Sequence, residues 1–151
     1  MAGRGIRVVG ELIKSRGQTL RVARPEQNLE MCATLLSSNN IARVPVVSDE
    51  HELVGLVSER DIRLAISIPY FHTSFLSKVE SVEKLRKLTV GDIMTQNPVS
   101  VDSETPIEDV IKLMLVRNIS GIPILAPETQ KLEGICTKID LLEHMITLMQ
   151  E

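Results

Sequence analysis

The chain has no tryptophan, one tyrosine and two phenylalanines in 151 residues. Tyr70, Phe71 and Phe75 all fall within one short stretch, so a platform on which successive bases stack is excluded as its main device. Net positive charge is missing too. Seventeen Lys and Arg against 20 Asp and Glu give a formal charge of −3, whereas neutralising a nucleic-acid backbone needs a basic face. No apolar run approaches the roughly 18 residues of a membrane span. The opening MAGRGIRVVGELIKSRG lacks the long apolar stretch and cleavage signal of a secreted precursor. The expectation is a cytoplasmic protein with neither nucleic acid nor membrane as partner.

Cysteine is scarce as well. Cys32 in LEMCATLL and Cys136 in EGICTKI sit in apolar surroundings with no second Cys or His at ligand spacing, and read as buried free thiols rather than a metal site. His51, His72 and His144 are scattered, so no Cys-His or Ser-His pair can be argued from spacing. No metal, no covalent cofactor and no catalytic residue is expected, and the chain is read as not an enzyme.

What the sequence does have is ordinary aliphatic material, 43% hydrophobic with 25% charged residues, and it has it twice. LEMCATLLSSNNIARVPVV (29 to 47) aligns without gaps on IEDVIKLMLVRNISGIPIL (107 to 125): Asn40 falls on Asn118 and Pro45 on Pro123, an offset of 78. GLVSERD (55 to 61) aligns on GICTKID (134 to 140) at 79, and VGELI (9 to 13) on VGDIM (90 to 94) at 81. A surface turn absorbs one inserted residue easily.

Each copy reads as a short leading helix, a brief extended piece (LRVA or VSVD) and a helix from about 26 to 39 or 104 to 117 with apolar residues at helical spacing. A strand at RVPVV or GIPIL, a second at LVGLV or LEGIC, and a closing helix from about Ser58 or Thr137 follow. Pro106 suits the first turn of the second long helix. A single copy would bury too little surface to be stable alone, so two copies sharing one core with pseudo-twofold symmetry are expected, with the aromatic stretch at or beside the junction.

The repeated heptapeptide admits two readings. Ser58 with Asp61, and Thr137 with Asp140, have the spacing of a helix N-terminal capping box. Yet each follows a strand and begins with Gly, where a backbone can be approached closely. A strand feeding a helix start exposes amides that attract phosphate, and an Asp at that turn can accept hydrogen bonds from a vicinal diol. A nucleoside phosphate fits that combination.

The patterns NNIARVPVV…LVGLVSERD and GDIMTQNPVSV…RNISGIPIL…LEGICTKID resemble the cystathionine beta-synthase (CBS) domain family, present as one tandem pair over residues 7 to 148. The resemblance implies an α/β (α+β) fold of two β-α-β-β-α repeats, 7–68 and 89–148, joined by a linker 69–88. It implies a regulatory module binding AMP, ADP, ATP or S-adenosylmethionine in clefts between the repeats. Carried over to this chain, the ribose contacts are Asp61 and Asp140, and the phosphate contacts are Ser58 and Thr137 with Arg43, which the second copy replaces by Gly121. The adenine slot falls on Val22, Ala23, Val44, Ser100, Val101 and Ile122.

Arg60, Arg63 and Lys138 stand in the first turns of the closing helices, where cations oppose the helix dipole. Arg60 and Lys138 are therefore added as phosphate contacts. The closing segment IDLLEHMITLM is expected to expose Leu141, Met145, Leu148 and Met149 and so to meet a partner; the resemblance implies a homodimer paired through these helices, with an effector protein acting in trans. Two rivals stand beside this reading. One is a structural or oligomerising protein whose motifs only cap helices; the other is an enzyme using Asp61 and Asp140.

Overall fold

The computed structural model describes residues 5–67 and 75–150, and for residues 75–79 the backbone only. Its elements run α1 (Val9–Arg16), α2 (Leu29–Ser38), β1 (Arg43–Val47), β2 (Leu53–Ser58), α3 (Glu59–Ile66), α4 (Phe75–Lys87) and α5 (Val90–Ile93). Then follow β3 (Thr95–Gln96), β4 (Val101–Asp102), α6 (Ile107–Arg117), β5 (Gly121–Leu125), β6 (Leu132–Thr137) and α7 (Lys138–Met149). The architecture is mixed α/β with two three-stranded sheets, β1-β2-β3 and β4-β5-β6.

The repeat in the sequence is a repeat in the backbone. Asn40 and Asn118 both adopt a left-handed φ of 52°, a conformation that Asn tolerates better than most side chains. There the long helix stops, and the next amide reaches back, Ile41 N–H to Leu36 O and Ile119 N–H to Met114 O. The chain then enters β1 or β5, each paired antiparallel with the following strand. Each pair carries its irregularity at the same place, Val46/Val47 and Ile124/Leu125. Both long helices start later than the periodicity predicts, α2 behind the Asn28 cap and α6 behind Pro106, which precedes the helix instead of filling its first turn.

The chain divides into two compact units, Arg21–Asn97 and the remainder on either side of it. Each unit has a core cluster of its own. Leu29, Cys32, Leu36, Val44, Val46, Val57, Ile62 and Val90 fill one; Val9, Leu12, Val110, Met114, Ile122, Ile124, Cys136 and Leu141 fill the other. These clusters show that the leading helices are exchanged relative to the divisions 7–68 and 89–148. Val9 and Gly10 donate to the carbonyls of Thr105 and Ser103, while Val90 and Gly91 donate to those of Gln27 and Pro25. Each leading helix thus completes the unit built around the other copy's long helix.

The two glycines on these helices permit that approach. A Cβ on Gly10 would lie 2.7 Å from both the Cβ and the carbonyl oxygen of Ser103, and one on Gly91 would lie 3.2 Å from Pro25 O. The linker 69–88 contains α4, which packs on α2 and α3 in the Arg21–Asn97 unit. Tyr70 and Phe71 lie outside the described residues, as does the side chain of Phe75, so the expected aromatic junction falls there too.

Candidate functional site

β2 and β6 deliver the repeated motif to the starts of α3 and α7, and both motifs form complete capping boxes. In the first, Ser58 N–H donates to Asp61 Oδ2 at 2.8 Å and Asp61 N–H donates to Ser58 Oγ at 3.1 Å. In the second, Thr137 N–H donates to Asp140 Oδ2 at 2.8 Å and Asp140 N–H to Thr137 Oγ1 at 3.4 Å. Two orphan amides are satisfied at each helix start, worth about 1 kcal/mol per cap.

The motif glycines serve packing. A Cβ on Gly134 would lie 2.8 Å from Ile13 Cδ1, and one on Gly55 would strike the Met94 side chain. Ile13 and Met94 are themselves repeat equivalents on the leading segments. The close approach inferred for these glycines is therefore made within each unit by an aliphatic side chain.

The carboxylates diverge beyond the caps. Asp61 is half-buried, and among the described residues its Oδ1 accepts no hydrogen bond. Asp140 is only 2% exposed. Its Oδ1 accepts from Gln18 Nε2 at 3.1 Å and faces Arg16 Nε at 3.4 Å, while its Oδ2 also accepts from Thr137 Oγ1 at 3.1 Å. Arg16 reaches Glu143 on the next turn of α7 as well. A buried carboxylate needs such partners, because its desolvation must be offset by charge and hydrogen bonds.

Arg43 opens β1 directly opposite Ser58, and burial pushes its guanidinium pKa down from the ordinary value. Gly121 stands opposite Thr137 in the same register. Arg43, Ser58 and Asp61 therefore belong to one unit and one strand-to-helix junction. Arg60 and Lys138 are exposed at the starts of α3 and α7, whereas Arg63, also exposed, falls in the last turn of the short α3. Ala23, Val44 and Ile122 are wholly buried and serve the cores, whereas Val22, Ser100 and Val101 keep partial exposure.

Both cysteines are buried and free. Burial raises Cys32 to about 11 and Cys136 to about 12, where the nearby Asp140 charge adds to the effect and Arg16 opposes it. On α7, Leu141 turns into the core, contrary to the expected exposed stripe. Met145, Leu148 and Met149 are exposed as expected, together with Ile139, Leu142 and Ile146.

Sequence reasoning missed Arg16 and Gln18. The signal available was a difference between copies: the offset falls from 81 at VGELI to 79 at LRVA, so the segment holding Arg16 and Gln18 is longer in the first copy and has no gap-free counterpart in the second. Among the described residues no helix is long and apolar enough to cross a membrane, and no group of three His, Cys, Asp or Glu side chains is placed to hold a metal.

The family model described as CBS domain matches residues 17–68 and 90–147. A CBS domain-containing protein of Dictyostelium discoideum is 34% identical over 125 residues, covering 83% of each chain. The chloroplastic CBS domain-containing protein CBSX2 of Arabidopsis thaliana is 29% identical over 157 residues, which cover 95% of this chain and 65% of that protein. The crystal structure of CBSX2 in complex with AMP superposes with a TM-score of 0.75 at 26% identity, over 94% of this chain and 98% of that one. The CBS domain pair of protein MJ0100, in complex with 5'-methylthioadenosine and S-adenosyl-L-methionine, gives 0.65 at 25% identity, over 83% and 91%.

Proposed function

Since this chain belongs to the CBS-domain family and carries that domain twice, we propose that it is a regulatory module, not an enzyme, which binds an adenosine-containing ligand and signals by a change of conformation or association. The observation that carries this reading is the junction of β2 with α3. A half-buried carboxylate, one of whose oxygens accepts no hydrogen bond among the described residues, stands at a helix start, and Arg43 is paired with the capping Ser58 across the β1–β2 register. The carboxylate suits the two hydroxyls of a ribose; the hydroxyl, the helix-start amides and Arg43 suit a phosphate. Arg60 and Lys138 add positive charge at the helix starts.

Two related structures hold adenosine compounds, AMP in one and 5'-methylthioadenosine with S-adenosyl-L-methionine in the other. Arg43 favours the phosphate-bearing members, AMP, ADP and ATP. In the unit Arg21–Asn97 Val22 keeps exposed surface with which to meet an adenine, with Ala23 and Val44 buried behind it; in the other unit Ser100 and Val101 do so, with Ile122 buried. The exposed face of α7, from Ile139 to Met149, suits a homodimer contact. Output then passes to an effector protein, and we place this exchange in the cytoplasm.

The competing reading is a structural protein, favoured by the fact that both motifs are complete as caps. Titration calorimetry with AMP, ADP, ATP and S-adenosylmethionine separates the two. Binding of at least one adenine nucleotide below the millimolar range, weakened at least tenfold by Arg43→Ala, is expected. Absence of heat with all four compounds leaves the structural reading standing.

A further inference from the structure

Among the described residues Asp140 is the one buried carboxylate, and it is the one already supplied with partners. A ribose diol offers two O–H donors and needs lone pairs on a carboxylate that still has them. At Asp140 one oxygen takes the Thr137 amide and hydroxyl, while the other takes the Gln18 amide nitrogen and faces the Arg16 guanidinium. The donors come from the last turn of α1 and the two residues beyond it, where Gly17 adopts a left-handed φ of 63° between Arg16 and Gln18. That reversal lets two neighbours in sequence address one carboxylate. Asp61 has no such attendants among the described residues: the copies align at 81 up to VGELI and at 79 from LRVA, so the segment that carries Arg16 and Gln18 has no gap-free counterpart in the other copy.

We propose that Arg16 and Gln18 act as a built-in occupant of the second motif, holding α1 against α7 and reserving ribose recognition for Asp61 until they withdraw. The inference rests on the ligand reading proposed above, and it makes the two motifs unequal by design of the leading segment rather than by the motifs themselves. Arg16 is shared between Asp140 and Glu143, so its charge is matched and it does not double as a phosphate contact. A ligand at the second motif must displace a charge-assisted contact from a site that water hardly reaches, and affinity there is lowered accordingly.

The test combines two measurements on the full chain and on the double variant Arg16→Ala, Gln18→Ala, which leaves the α1 core residues Val9 and Leu12 in place. In calorimetry with AMP the natural chain takes up one equivalent, abolished by Asp61→Ala, and the double variant takes up a second with affinity within tenfold of the first. In ligand-free hydrogen exchange the amides of α1 exchange at least tenfold faster in the double variant, while those of α5 do not change.

Two equal equivalents in the natural chain, a double variant that still binds only one, or unaltered exchange in α1 would each overturn the proposal. If no chain binds AMP, ADP or ATP but exchange in α1 quickens, the ligand reading is what fails, and Arg16 and Gln18 are left as anchors of the helix.

Discussion

The two GxxS/TxxD motifs start from nearly the same seven residues and end in different states. Both cap a helix, both follow a strand, and both press their glycine against an aliphatic side chain from a leading segment. Yet among the described residues one oxygen of Asp61 accepts no hydrogen bond, while Asp140 is enclosed by partners from the other end of the chain. A motif therefore specifies its local geometry, and what its carboxylate can do next depends on which residues the fold brings to it.

That comparison can be broken most forcefully at the leading helices. Gly10→Ala puts a methyl group onto Ser103 backbone and Cβ at 2.7 Å, whereas Gly91→Ala meets Pro25 at 3.2 Å or more. Overpacking of the tighter kind costs about 3 kcal/mol and the looser about 1 kcal/mol. Urea unfolding of the two variants would show them alike if the leading helices were equivalent.

Next come the carboxylates. Asp140→Ala removes a cap and leaves Arg16 and Gln18 facing a void, for a loss of about 2 kcal/mol, while Asp61→Ala loses only its cap, about 1 kcal/mol. A reversed order in thermal denaturation would mean that the partners of Asp140 contribute nothing.

The smallest effect sharpens the comparison between the two cores. An unfolded cysteine titrates near about 8.5, whereas burial holds Cys32 at about 11 and Cys136 at about 12. The unfolded chain releases these protons first, so stability is complete below about pH 8.5 and falls as pH rises toward the folded values. By pH 9.5 each thiol accounts for about 1 kcal/mol of that loss. The decline continues further for Cys136 than for Cys32. Cys32→Ala and Cys136→Ala should each flatten the alkaline slope of stability, and an unchanged slope in both would refute the assignment.

Much of this was legible in the chain. The aligned Asn40 and Asn118, the strand prolines, the serine or threonine three residues ahead of each aspartate, and the buried cysteines all announced themselves, because turns, caps and periodic apolar faces are decided by residues a few positions apart. The α7 stripe was partly legible: Leu141 belongs to the core, and only contacts with that core separate it from Met145 and Leu148.

The motif glycines were read as room for a ligand, and the structure fills that room with Ile13 and Met94. No local rule could choose between those fillings, since each depends on a segment tens of residues away.

The sequence by itself determined that there are two copies, and that Ser58 with Asp61 and Thr137 with Asp140 cap the two closing helices. Tertiary structure alone decided that each leading helix completes the unit of the other copy, and that Asp140 lies beneath Arg16 and Gln18 while Asp61 does not. The physical reason is one of range. Capping and turn preferences act through neighbouring bonds, whereas pairing Gln18 with a carboxylate 122 residues away requires the whole second unit to be assembled before that contact has any partner to meet.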